Sequence, residues 1–382
     1  MKIARAEAIV ADLTPLAVRH DAIQAFVKQE TVFVNLETED GLLGTGYAYT
    51  VGTGGRAILA LLEHDLLDRV IGEDAREIER IWQSLFFATH ATAVGAITSL
   101  ALAAIDIALW DLRGKAAGLP LWLLAGGARP SVPLYDTEGG WLNLSPDQLV
   151  SGATEAVERG MAGVKIKIGK ADPHEDLERA RAVREAIGPS VDLMLDANQS
   201  FDLAGARRRA RLLEEVDPFW IEEPLPADDL TGHRRLARST PIPIAVGESI
   251  YSPGGFAEYV ATGAASILQA DAARVGGITP WLKIAHLAEA ANLTIAPHFL
   301  MELHVSLACA VPNAIYVEHI PQLHPICRSD LVIREGRAIA PSKSGVGIDW
   351  DQDAIRELSG ADHRAVAPAR GRRATAGSAP SV

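Results

Sequence analysis

The sequence predicts an α/β protein, a barrel of alternating strands and helices fronted by a smaller α+β domain. Three observations predict it. Charged residues close a series of short apolar runs through the middle and later chain. The first 50 residues alternate apolar and polar, and the stretch from Arg56 to Gly118 is helical in period. At 382 residues the chain exceeds one ordinary domain.

The N-terminal alternation runs through Ile3, Ala6, Ala8 and Val10, resumes at Thr31–Thr38, and turns at Glu39-Asp40-Gly41 into Leu42–Tyr49. It reads as a three-stranded meander. Two unpatterned loops, 15–21 and the glycine-rich 50–55, are candidate lids over a neighbouring site. Helices are expected from Ile58, from Ile78, and from Val94 to Asp111. The last is small-residue-rich and deeply packed, with Asp106 and Asp111 as structural hydrogen-bonders. Gly118-Leu119-Pro120 ends this part. Residues 1–127 are therefore assigned to an α+β capping domain and 128–320 to the barrel. Residues 321–358, with a short strand pair near 331–340, return to the capping domain. The stretch 359–382, rich in Ala, Arg, Gly, Ser and Pro, is expected to be a disordered tail.

The barrel opens at Val132–Thr137 and continues through Gly163–Gly169, which holds Lys165 and Lys167. Next come Asp196 and Asn198, Glu222 and Glu223 before Pro224, Glu248, Asp271, His298 and Glu318. From Asp196 onward the charged positions recur every 20 to 27 residues, room for one helix and two loops. Each apolar run reads as a buried parallel strand. Polar groups at the C-terminal ends of such strands form a barrel mouth, where chemistry is done.

Composition narrows the function. With 48% hydrophobic and 22% charged residues the chain is that of a globular protein with an ample core. No apolar run suits a membrane span, and the N-terminus lacks a signal peptide's core. Two cysteines, Cys309 and Cys327, make a disulfide framework implausible, so a cytoplasmic location with reduced thiols is expected. A net charge of −13 argues against nonspecific nucleic-acid binding.

Asp196, Glu222 and Glu248, on three consecutive strands, would repel one another unless a cation joined them, and oxygen-only ligands favour Mg2+, with Mn2+ possible. Lys165 and Lys167 point to one face of their strand. Each depresses the other's pKa, so one is expected neutral near pH 7 and able to act as a base. Asp271 beside His298 makes a second acid/base group. Glu318, raised by burial, could donate a proton to a substrate oxygen. The set suits a carboxylate substrate that loses an α-proton to give an enediolate, its oxygens held by the metal, Lys165 and Glu318.

In this order the Lys-x-Lys, Asp-x-Asn, Glu-Glu-Pro, Gly-Glu, Asp and His-to-Glu motifs, with the helix ending Ala104–Leu112, resemble the enolase superfamily, mandelate racemase subgroup. The resemblance spans residues 1–357 and implies a (β/α)7β TIM-like barrel with a capping domain completed by the C-terminal segment. A Lys or His base working with Mg2+ on an ene-diolate is a known property of that superfamily. Carried over, Asp196, Glu222 and Glu248 are the metal ligands, Lys167 one base, His298 with Asp271 the other. Lys165 binds the carboxylate, Glu318 is the electrophile, Asn198 lies beside metal and substrate, and Glu223 stands behind the ligands. The subgroup also implies a homo-oligomer.

The strings Asp271–Ile278, His298–His304 and Tyr316–His319 resemble the galactarate/L-talarate dehydratases. The expected activity is dehydration of an acid sugar, aldarate or aldonate, to a 2-keto-3-deoxy acid, with Arg19, His20, Tyr47 and Tyr49 as polar lid residues toward the substrate. Two-base racemisation or epimerisation is the alternative. A non-catalytic acid-binding barrel is the alternative of another class.

Overall fold

The computed structural model describes residues 1–15, 17–360 and 363–367. Its first layer is an antiparallel sheet of β1 (Ile3–Leu13), β2 (Gln29–Thr38) and β3 (Leu43–Thr50), the predicted meander. The 22-residue helix Ala96–Ala117 lies across β3. Gly44 and Gly46 allow that approach, since a Cβ on Gly46 would overlap the backbone of Ala104 and Ala108. The two aspartates on this helix tie the layers together. Asp106 accepts from the backbone and hydroxyl of Thr279 (3.0 and 2.6 Å), a barrel residue. Asp111 accepts from Thr45 N and Val346 N, both at 2.9 Å.

The second layer is the barrel. Its strands are β4 (Ser131–Asp136), β5 (Gly163–Lys167), β6 (Asp192–Asp196) and β7 (Trp220–Glu222), then β8 (Ile244–Val246), β9 (Ile267–Leu268), β10 (Thr294–Ile295) and β11 (Val317–His319). All eight run parallel, with β11 returning to β4 and a bridge from Ile295 to Ala314 closing the circle. Tyr135, Met194, Trp220, Ala245, Ile267, Ala296 and Tyr316 form one buried cluster contributed by the strands and the residues next to them. A barrel of this size is filled with side chains, so its polar groups collect at the rim.

Two C-terminal expectations are corrected. The pair Ile333–Arg334 and Arg337–Ile339 does not join the capping sheet; it adds antiparallel to β4, because Arg337–Ile339 pairs with Ser131–Pro133. The return to the capping domain is made further on, where Trp350 packs edge-on against Phe33 and Tyr47. The stretch expected to be disordered from residue 359 includes the strand Arg364–Ala367, paired with Ala6–Ile9 of β1. An edge strand offers unpaired backbone groups, and four residues that bury Ala365 and Ala367 suffice to cover it. Residues 361–362 and 368–382 lie outside the described residues. Among those described, both cysteines are free and no helix is long and apolar enough to cross a membrane.

Candidate active site

The charged side chains of the mouth sit at the C-terminal ends of barrel strands or within three residues past them. Register sets Lys167 beside Asp196, Asp196 beside Glu222, and Glu222 beside Ala245, just short of Glu248. Four non-glycine residues just past these strand ends have left-handed backbones: Asn198 (φ 43°), Gln199 (φ 64°), Glu223 (φ 38°) and Phe299 (φ 69°). The chain turns sharply there and keeps its polar side chains at the rim.

Lys165 is buried among three carboxylates, 3.0 Å from both oxygens of Glu222, 2.9 Å from Glu318 and 3.5 Å from Asp196. Lys167 Nζ donates to Asp196 Oδ2 at 2.5 Å. Burial favours the neutral form of each lysine. Glu222 and Glu318 outweigh it at Lys165, and Asp196 outweighs it at Lys167, so both are raised above the ordinary lysine value. The neutral lysine expected from mutual repulsion is therefore not found in this arrangement. Glu318 is likewise corrected. Burial raises its carboxyl, but Lys165 and His298 pull it down to about 2. Its oxygens accept from Thr137 Oγ1 (2.7 Å) and Phe299 N (2.9 Å), so it stands as a carboxylate.

Across the mouth, His298 lies between two carboxylates, with Nδ1 3.0 Å from Asp271 Oδ2 and Nε2 2.6 Å from Glu248 Oε2. Burial opposes its charge, yet Glu248 and Asp271 carry it up to about 10. Asp271 Oδ2 also accepts from Tyr49 Oη at 2.7 Å, while Oδ1 takes the backbone N–H of Ala273 (2.8 Å) and Arg274 (3.3 Å). The expected Asp271–His298 pair is thus formed, with a tyrosine from the capping sheet added to it.

Asp196, Glu222 and Glu248 do not converge: among the described residues no trio of His, Cys, Asp and Glu side chains is gathered to hold a metal ion. Each is turned onto a cation instead, because Lys167, Lys165 and His298 neutralise them. The chemistry of the set still fits a hard divalent ion. The donors are all oxygen and end three bonded neighbouring strands. Burial and the nearby Asp196 raise Glu222 to about 7, a mark of crowded negative charge. Asn198 Oδ1 and Glu223 Oε1 beside them are buried without a hydrogen-bond partner. The other Glu223 oxygen is held by Gln199 and Ser249 at 3.1 and 3.3 Å.

Three lid assignments are corrected. Tyr47 and Tyr49 share a face of β3, but only Tyr49, near the strand end, reaches the mouth. Tyr47 is buried against Phe33 and Trp350 in the capping domain. In the ribbon Arg19–His20, paired with Ala25–Phe26, successive side chains alternate. Arg19 is buried and bonds Glu138 (2.8 Å), Gln322 (2.8 Å) and Pro321 O (3.2 Å), a strut between loop and barrel, while His20 faces solvent. The cavity above the mouth is lined instead by Asp21, Gln24, Trp141 and Arg274, alongside Tyr49, Lys167, Asn198 and His298. Sequence reasoning missed the first four. Their only signal was adjacency, since Asp21 follows His20 and Arg274 sits one helical turn after Asp271.

A family model for the mandelate racemase / muconate lactonizing enzyme N-terminal domain matches residues 4–126, and one described as enolase C-terminal domain-like matches residues 148–354. The chain is 38% identical over 325 residues to an L-talarate/galactarate dehydratase of Salmonella typhimurium, covering 85% of this chain and 81% of that protein. It is 37% identical to a 3,6-anhydro-alpha-L-galactonate cycloisomerase of Streptomyces coelicolor, covering 89% and 93%. The crystal structure of an L-talarate dehydratase from Polaromonas sp. JS666, complexed with Mg and L-glucarate, superposes with a TM-score of 0.91 at 38% identity, covering 97% of this chain and all of that one.

Proposed function

The chain belongs to the mandelate racemase / muconate lactonizing enzyme family, and from that premise we propose that it is a Mg2+-dependent acid sugar dehydratase, a hydro-lyase that forms 2-keto-3-deoxy acids. Relatives that dehydrate talarate, galactonate and arabinonate support this reading. So does one observation of the site: two proton-transfer groups, Lys167 and the Asp271–His298 pair, line one cavity from different strands.

Asp196, Glu222 and Glu248 would hold the ion. When bound, Mg2+ supplies Lewis-acid stabilisation of negative charge on the substrate's oxygens. Lys165 donates to the substrate carboxylate, and Glu318, which takes up a proton from solvent when it gives up its lysine contact, donates to the same group. Lys167 must part from Asp196 and lose its proton; burial then favours its neutral form and lets it take the α-proton. The electron pair left on the α-carbon expels the β-hydroxyl as its C–O bond breaks. His298, kept charged by Asp271 at its Nδ1, gives that oxygen a proton so that water leaves. The enol ketonises, and both groups re-equilibrate with solvent. The enzyme acts in the cytoplasm as a homo-oligomer.

The test is a panel of acid sugars incubated with Mg2+ and assayed for semicarbazide-reactive keto acid. Turnover that disappears in Lys167→Ala supports the reading. Washout of α-deuterium with no keto acid from any acid refutes dehydration and leaves epimerisation.

A further inference from the structure

We propose that the lid end of this cavity receives a neutral, hydroxyl-bearing chain terminus, so that the acid sugar dehydrated here carries one carboxylate, not two. The inference rests on the dehydratase reading and specifies its substrate class.

The first observation is Asp21. It lines the cavity and is only 7% exposed. Its Oδ1 accepts from the backbone N–H of Ile23 and Gln24, both at 2.7 Å, which shapes the loop. Its Oδ2 has no hydrogen bond or ion pair among the described residues. A second acceptor, Asn198 Oδ1, and a donor, Trp141 Nε1, line the same cavity and are buried without partners. Two idle acceptors and one idle donor match hydroxyl groups, each of which both donates and accepts. An ionised carboxylate only accepts, and cannot answer Asp21 or Asn198.

The second observation is the state of the cations. Three line the cavity: Lys167, Arg274 and His298. Lys167 is held by Asp196, and His298 by Glu248 and Asp271. Arg274 donates to Tyr49 Oη (3.2 Å) and Glu248 O (2.9 Å), and lies 3.9 Å from both the Glu248 and Asp271 carboxylates. Arg19, the basic residue of the lid, is turned away onto Glu138 and Gln322. At the lid end a second substrate carboxylate would therefore meet Asp21, a like charge in a poorly solvated place, with Arg19 turned away from it.

The experiment compares matched pairs of acids, an aldonate and the aldarate of the same configuration, with Mg2+ and the keto-acid assay. The wild type should favour the aldonate at least tenfold in kcat/KM. Asp21→Asn keeps the carbonyl oxygen that the Ile23 and Gln24 amides need and removes the charge, so it should shrink the ratio at least tenfold, mainly by improving the aldarate. Asp21→Ser, whose hydroxyl also serves the turn, provides the same comparison if the Asn variant melts early. A wild-type preference for aldarates, or an unchanged ratio in folded variants, overturns the inference and leaves the dehydratase reading intact. No keto acid from either class overturns both.

Discussion

Replacing Asp271 by Asn tests how the two proton-transfer groups divide the reaction. The two backbone amides on Oδ1 fix which way the new amide points, so its NH2 lies where Oδ2 was, facing Tyr49 Oη and His298 Nδ1. Tyr49 can turn its hydroxyl to accept. His298 cannot adapt so simply, because Nδ1 must become an acceptor and the ring's proton moves to Nε2. The loss is one hydrogen bond between charged groups at 3.0 Å, worth up to about 3 kcal/mol. At about 1.36 kcal/mol per tenfold, keto-acid formation should slow by about 100-fold. If Lys167 removes the α-proton, exchange of that proton in D2O should fall far less than dehydration does. The two rates would be read together, by NMR for exchange and by semicarbazide for product. Equal losses in both, or no loss in either, would refute the assignment of His298 to the departing hydroxyl.

Chelation with EDTA should abolish turnover and leave the melting curve of the fold nearly unmoved, because Lys165 and Lys167 neutralise Asp196 and Glu222 without an ion; added Mg2+ should restore activity. Arg19→Ala removes the strut onto Glu138, Gln322 and Pro321, so KM should rise about tenfold with kcat within a few-fold, the cost of a lost charge-assisted bond. Gly46→Ala forces a methyl into the backbone of the helix Ala96–Ala117 and should destabilise the protein by about 1–3 kcal/mol in urea unfolding.

The barrel and its ring were legible because parallel strands buried on both faces read as plain apolar runs, and a charge that ends such a run has nowhere to go but the mouth. Lys165, Lys167, Asp196, Glu222, Asp271, His298 and Glu318 all lie there, buried and in two contacting groups, the lysines with their carboxylates and His298 with Asp271. What could not be read is how those charges share one another. Alternation along a strand cannot say that Glu318 is held as a carboxylate by Lys165, or that Glu248 turns to His298. The lid was illegible for another reason. Whether Arg19 points to Glu138 or into the cavity depends on a two-residue ribbon and on residues more than a hundred positions away. The strand Arg364–Ala367 was hidden by composition, since Ala and Arg between glycines carry no period, and only the open edge of β1 makes a strand of them.

The left-handed turns past the strand ends carry a consequence for anyone seeking a hardier version of this protein. Asn198, Gln199, Glu223 and Phe299 hold a backbone shape that suits glycine, at a penalty of about 1 kcal/mol or more for each side chain so held. Glycine at these positions would relieve the penalty but delete two side chains that line the cavity, Asn198 and Phe299, and the Gln199–Glu223 contact behind them. Attempts to raise heat tolerance should therefore begin at the far end of the barrel.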